Sequence, residues 1–232
     1  MKKNSIIQTD IKTDPATGRR SYPGALTGID VSRHNGVIDF EQVKKDGIDF
    51  CFVRAGTRHF NDGSLIEDIR YRENVNSSIG SGIDTGVYFF SSAINEKEIA
   101  EEADFVLEHV QLYNITLPLV LDMEIITPDC RMVNLSPKER TDLVLIFKEK
   151  VEKAGYIPMF YCNSIPRMMS FVELERMENL EKWIAEYRFK PYFRYDFAVW
   201  QYSCTGRVKG IEGDVDLDLA FRLPRISKEG KE

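Results

Sequence analysis

Seven-residue runs dense in apolar side chains recur along the chain at 26–32 (LTGIDVS), 50–56 (FCFVRAG), 84–90 (DTGVYFF), 118–124 (PLVLDME), 157–163 (IPMFYCN), 181–187 (EKWIAEY), 197–203 (FAVWQYS) and 215–221 (VDLDLAF). Each is too short and too rich in β-branched and aromatic residues for a helix, so each predicts a strand. Helix starts stand between the early runs. Asp39 precedes Gln42 by three residues, Asn95 precedes Glu98 by three, and Ser136-Pro137-Lys138-Glu139 is a capping box with proline at the first helical position. The helix from Pro137 is expected to close at Gly155. Strand and helix in alternation imply right-handed crossovers and a mainly parallel sheet.

The last third departs from that rhythm. Nine residues (188–196, with Pro191) separate the sixth and seventh runs, and eleven (204–214, with three glycines) separate the seventh and eighth. A parallel return takes about a dozen residues or more. The predicted fold is therefore α/β: an incomplete, TIM-like barrel, eight strands with helices after the first five, (β/α)5β3, its last strand free to run antiparallel. Residues 1–25 are polar and carry turn signals at Asp14-Pro15, Thr17-Gly18 and Pro23-Gly24. They read as a leader or linker without a core of its own, followed by a barrel domain over 26–225 and a polar tail over 226–232.

Composition narrows the class. A chain of 232 residues, 43% hydrophobic and 11% aromatic, has the make-up of a globular domain with a sizeable core. A formal charge of −6 without a basic cluster argues against a nucleic-acid partner. No stretch approaches the roughly 18 apolar residues of a membrane span. Met1-Lys2-Lys3 looks like the start of a signal peptide, yet only Ile6-Ile7 follows, which predicts a trimmed chain or release by a route such as lysis. Cys51 and Cys162 sit in apolar runs as core thiols; Cys130 and Cys204 are placed in loops where they could pair. Histidines at 34, 59 and 109 make no metal-ligand pattern.

Candidate chemistry gathers at strand ends. Asp122 and Glu124 are two apart at the end of the fourth run, so they project from one face. Each raises the other's pKa, and a pair divided into a proton donor and an anion suits glycosidic bond cleavage. The first run adds Asp30 and the eighth adds Asp216, with Asp214 and Asp218 in the same phase. Tyr88, Tyr161, Trp183, Tyr187, Trp200 and Tyr202 supply aromatic faces of the kind that stack on sugar rings. The Asp-x-Asp-x-Asp of 214–218 lacks the central glycine and later glutamate of a calcium loop, so no metal or cofactor is expected.

Taken in order, Gly28-Ile29-Asp30-Val31-Ser32 with Asn35-Gly36, Phe52-Val53-Arg54-Ala55-Gly56, Gly86-Val87-Tyr88-Phe89-Phe90, Leu121-Asp122-Met123-Glu124, Trp183-Ile184-Ala185-Glu186-Tyr187, Trp200-Gln201-Tyr202 and Val215-Asp216-Leu217-Asp218 resemble the glycoside hydrolase family 25 lysozymes. The resemblance implies a flattened barrel with a long glycan groove; a monomer acting outside the cell or at the cell wall is expected. It implies cleavage of the β-1,4 bond between N-acetylmuramic acid and N-acetylglucosamine in peptidoglycan glycan strands. Glu124 would be the general acid, with Asp30, Asp122 and Asp216 around it. Asp122 would stabilise the developing charge or orient the substrate's 2-acetamido group; Arg54 and the six aromatics would bind substrate. The family usually has asparagine where this chain has Asp218, an extra acid that would raise local pKa values or face solvent. Two other readings fit the same residues: a chitinase-like N-acetylglucosaminide hydrolase, and a glycan-binding barrel without catalysis.

Overall fold

The structure is a computed structural model, described over residues 1–6, 8–163 and 169–226. Its main strands fall on the apolar runs: β1 (Leu26–Val31), β2 (Phe50–Arg58), β3 (Asp84–Ser91), β4 (Leu119–Met123), β5 (Pro158–Cys162), β6 (Glu181–Ala185), β7 (Val199–Gly206) and β8 (Val215–Ala220). They hydrogen-bond in the order β1-β8-β7-β6-β5-β4-β3-β2, and β2 pairs back to β1, so the sheet closes into a barrel. Strands β1 to β7 are parallel, whereas β8 is antiparallel to both of its neighbours, β7 and β1. A short strand at Leu65–Glu67, absent from the sequence reading, extends the upper part of β2.

Helices α1 (Phe40–Lys45), α2 (Tyr71–Gly80), α3 (Glu96–Val110) and α4 (Pro137–Lys153) follow the first four strands. Three of their starts are those the sequence marks; α2 begins at Tyr71 without a side-chain cap. Asp39 accepts from the Gln42 N–H, Asn95 from the Glu98 N–H, and Ser136 and Glu139 cap each other's backbone. Gly155 ends α4 at a φ of 81°. After β5 the described chain holds a helical turn at 169–171 and a 3-10 turn at Leu174–Met177; the rest of the expected fifth helix lies outside the described residues. The link from Ala185 to Val199 carries no helix, yet β6 and β7 pair in parallel. β6 ends two residues before its apolar run does and β7 starts two residues into its own, so the link is residues 186–198, long enough for a parallel return.

Two apolar layers explain why the strand runs are continuous rather than alternating, since a parallel strand covered on both faces needs no polar side. Inside the barrel lie Phe50, Phe52, Val120, Met159, Trp183 and Val199. Outside it, Ile29, Val53, Leu121 and Phe160 meet helix residues such as Val43, Val106 and Phe147. Glycine is required where rings fill the interior. A Cβ on Gly28 would stand 2.1 Å from the Phe50 ring, and one on Gly86 would stand 2.4 Å from the Phe52 ring. Phe52 in turn stacks on Trp183, with centroids 4.8 Å apart.

Buried Arg58 at the end of β2 ties the sheet to α3, donating Nε to Glu102 at 2.8 Å. The segment before β1 is laid against the barrel. Lys12–Thr13 and Arg20–Ser21 pair as a small hairpin, Ile11 joins the outer core, and the Arg20 guanidinium sits over the Trp200 and Tyr202 rings at 4.7 and 4.9 Å. At the other end the Ile226 N–H donates to Thr116 O, just before β4; residues 227–232 of the expected tail lie outside the described chain. The four cysteines are free, so Cys130 and Cys204 do not pair: Cys130 is buried, and Cys204 is exposed within β7 rather than in a loop. Among the described residues no helix is long and apolar enough to cross a membrane.

Candidate active site

Alternate residues of each strand face the barrel interior, and these become polar towards the C-terminal ends of the parallel strands. Arg54 of β2, Tyr88 of β3, Asp122 of β4, Tyr161 of β5, Trp183 of β6 and Gln201 of β7 all line one open cavity of about 450 Å³. Because β8 runs the other way, it reaches this mouth with its first residues. Asp216 lies directly opposite Asp30 of β1 in register, and Asp214 stands at the rim. The mouth thus collects the four predicted acids, Asp30, Asp122, Glu124 and Asp216.

The Asp122 and Glu124 carboxyls stand side by side at this mouth, each within reach of the other's charge. Burial pushes the Asp122 carboxyl well above its ordinary range, the charge of Glu124 adds to this, and Arg54 pulls against it. Two adjacent buried carboxyls favour a state in which one of them keeps its proton. Asp122 Oδ1 is buried and meets no hydrogen-bond donor among the described residues. Glu124, just past the end of β4, is less deeply placed.

The opposite wall is a polar network. The Gln201 amide Nε2 donates to Asp30 Oδ2 at 2.7 Å, while its Oε1 accepts from the hydroxyls of Tyr161 at 3.0 Å and Tyr187 at 2.8 Å. Burial raises the Asp30 carboxyl well above its usual range, and Asp216 and Asp218 push the same way. Asp216 is raised to about 6, mainly by burial. Asp218 is deeper still and wholly buried; its Oδ1 accepts from the Trp183 indole N–H at 2.8 Å, so it does not face solvent. Arg54 is held in place by Asp68, 2.7 Å away, whose other contacts are backbone N–H groups of Arg33 and Arg70. No group of three or more His, Cys, Asp or Glu side chains among the described residues is arranged to hold a metal ion.

Two expected groove residues are elsewhere. Trp200 and Tyr202 point to the outer face of β7 under Arg20, and the Trp200 indole donates to Glu186 O at 2.9 Å. The strand has period two, so with Gln201 facing in, beside Ala185 of β6, its neighbours must face out. Gln201 itself was missed as a site residue although it stands inside the quoted Trp200-Gln201-Tyr202 motif. An amide between two aromatics on a buried strand is the signal that could have found it, because a buried amide must be bonded. His34, Asn35 and Asn163 also line the mouth. The first two are set by a 3-10 turn whose capping box joins Ser32 and Asn35.

The profile of Glycosyl hydrolases family 25 matches residues 29–211, and these include every strand from β2 to β7. Among curated proteins, Lysozyme M1 of Streptomyces globisporus is 26% identical over 82% of this chain and 66% of its own length. The Autolytic lysozyme of Clostridium acetobutylicum is 24% identical over 83% of the chain and 55% of its own length. This chain therefore spans 66% and 55% of those relatives. In three dimensions the Clostridium perfringens spore cortex lytic enzyme SleM has the same fold, with a TM-score of 0.74 at 21% identity over 87% of this chain and 69% of its own. With the family match covering residues 29–211, most of the chain, this chain belongs to glycosyl hydrolase family 25.

Proposed function

We propose that the protein is a peptidoglycan hydrolase that cuts the β-1,4 bond between N-acetylmuramic acid and N-acetylglucosamine, acting outside the cell or at the wall. The observation that carries this reading is the placing of the Asp122 and Glu124 carboxyls side by side at the floor of an open groove. The relatives named as lysozymes support the substrate class. Glu124, the less deeply placed partner, delivers its proton to the glycosidic oxygen as the bond to C1 breaks, and Asp122 keeps the negative charge. The unpartnered Asp122 Oδ1 is an acceptor for the substrate's 2-acetamido N–H, which turns the acetamido oxygen towards C1. The acetamido oxygen bonds to C1 as the leaving oxygen departs; water then attacks C1, that bond breaks to restore the acetamido group, and the water gives a proton back to Glu124. Such substrate assistance needs no second carboxylate as nucleophile.

Asp30 and Asp216 shape the wall facing the pair, and Arg54, Tyr88, Tyr161, Trp183 and Tyr187 line the path of the glycan. Tyr187 is the exposed member, offering a face for a sugar ring. The test is digestion of purified peptidoglycan followed by mass spectrometry of the fragments. Reducing-end muramic acid is the expected product; reducing-end glucosamine, or no fragments from any wall preparation, would overturn the assignment.

A further inference from the structure

Beneath the groove lies an acid that the mechanism above does not use. Asp218 is completely buried in β8, paired in register with Gly28 of β1. Its Oδ1 accepts from the Trp183 indole N–H at 2.8 Å. Its Oδ2 is buried and receives no N–H or O–H from any neutral group among the described residues. Its nearest acidic neighbour across the strands is Asp30: with Asp218 opposite Gly28 and Asp216 opposite Asp30 in the antiparallel register, Asp30 and Asp218 are diagonal neighbours on the inward face, and each carboxyl acts on the other. One oxygen of Asp30 is already occupied, because Oδ2 takes the Gln201 amide proton at 2.7 Å. Each carboxyl therefore has one oxygen served by a fixed donor, Trp183 for Asp218 and Gln201 for Asp30. The two remaining oxygens belong to groups that are acceptors only when ionised, so a proton is needed wherever they meet. Removed from water, two bare carboxylates would repel strongly and leave at least one acceptor unbonded.

We propose that Asp218 is a positioning residue that shares one proton with Asp30, locking the Asp30 side chain against the groove floor and keeping one negative charge out of it. The chain Trp183–Asp218–Asp30–Gln201–Tyr187 then runs without a break from the barrel interior to the exposed wall of the groove. The groups facing the pair are Asp216 on β8, Arg54 on β2, Tyr88 on β3, Asp122 on β4, Tyr161 on β5 and Tyr187 beyond β6, while Cys51 of β2 lies behind the sheet in the outer layer. Burial raises Cys51, Tyr88, Tyr161 and Tyr187 above their ordinary ranges, which leaves them neutral near pH 7. Arg54 is engaged by Asp68. Burial, followed by the charge of Asp216, also raises Asp218 well above the usual carboxylate range.

The substitution that tests this is Asp218→Asn. Its amide oxygen can keep the Trp183 bond and its N–H can donate to Asp30, so the geometry survives while the titrating proton is removed. With 13C-labelled aspartate, NMR of the native protein near pH 7 should show an aspartate carboxyl in its protonated form that is lost in the variant. The fall in thermal stability as pH rises above the carboxylate range should shrink in the variant by at least half. In wall lysis, an activity that rests on the hydrolase reading, the alkaline limb of kcat/KM should move upward while the value at the optimum changes by less than about tenfold. If Asp218→Asn fails to fold, the native titration alone decides. Aspartates that all titrate in the ordinary range, or a stability profile identical in both proteins, would overturn the proposal. Absence of lysis by the native protein would sink the hydrolase reading and leave the NMR and stability results to decide this one.

Discussion

At the residue scale, Glu124 and Gln201 make different demands on their surroundings. Glu124→Gln keeps shape and hydrogen-bonding capacity but removes the proton to be given. It is expected to lower kcat by about 10²–10⁴-fold, the usual contribution of a general acid, with KM and thermal midpoint little changed. Turnover on purified walls measures the first, and a melting curve measures the second. Gln201→Leu acts otherwise. It strands Asp30 Oδ2 and the Tyr161 hydroxyl, both buried, and releases the hydroxyl of exposed Tyr187 to water; each buried group left unbonded costs about 1–3 kcal/mol. Denaturant unfolding should register that loss before any assay is run. The difference in legibility follows from the same residues. Asp122 and Glu124 were readable because charge at the end of an aliphatic strand contrasts with everything before it. Gln201 was not, because both faces of β7 are buried and the aromatics at 200 and 202 are as apolar as an inward set would be. Only the Arg20 hairpin, which covers the outer face, gives those aromatics a reason to point away from the groove.

At the scale of elements, the capping residues at Asp39, Asn95 and Ser136 fixed three helix starts, since each cap is a local hydrogen bond written in four consecutive residues. Contacts between distant segments left no such local mark. The strand at Leu65–Glu67 exists because β2 continues past the barrel rim and offers it an edge. The Arg58–Glu102 pair is another example, joining β2 to α3 across 44 residues. Burial raises Glu102 to about 7 against the pull of Arg58. Arg58→Met would leave this carboxyl buried and unpaired, and breaking such a pair costs about 3–5 kcal/mol. Adding Glu102→Gln to Arg58→Met should recover part of the loss. A double variant no more stable than Arg58→Met would show that the packing of Arg58, rather than its charge, holds α3.

For the whole molecule, the concentration of acids at one mouth makes stability a function of pH. Asp216 has its folded pKa raised to about 6, above that of the unfolded chain. A raised carboxyl binds its proton more tightly in the folded state. Its contribution is therefore complete below about pH 4, the unfolded value, and is lost as pH climbs through about 6. The thermal midpoint should accordingly decline over that window, and Asp216→Asn should flatten the decline. A midpoint that rises steadily from pH 4 to 6.5 in both proteins would contradict this. The barrel itself was legible at this scale, including its reversed last strand, because crossover length limits which strands can run parallel. The packing of residues 1–25 on the barrel was not, since a polar segment with turn signals reads the same whether it is free or docked.

The reversed direction of β8 has one more result. It delivers acids to the groove with its first residues and carries the chain down to Ile226 beside Thr116, at the base of the barrel. There too the Met1 amine pairs with Glu178, ahead of β6. Tethering the protein to a bead or a chip through a site beside Met1 or Ile226 would thus leave the cleft facing outward, free to meet an insoluble polymer too large to diffuse to it.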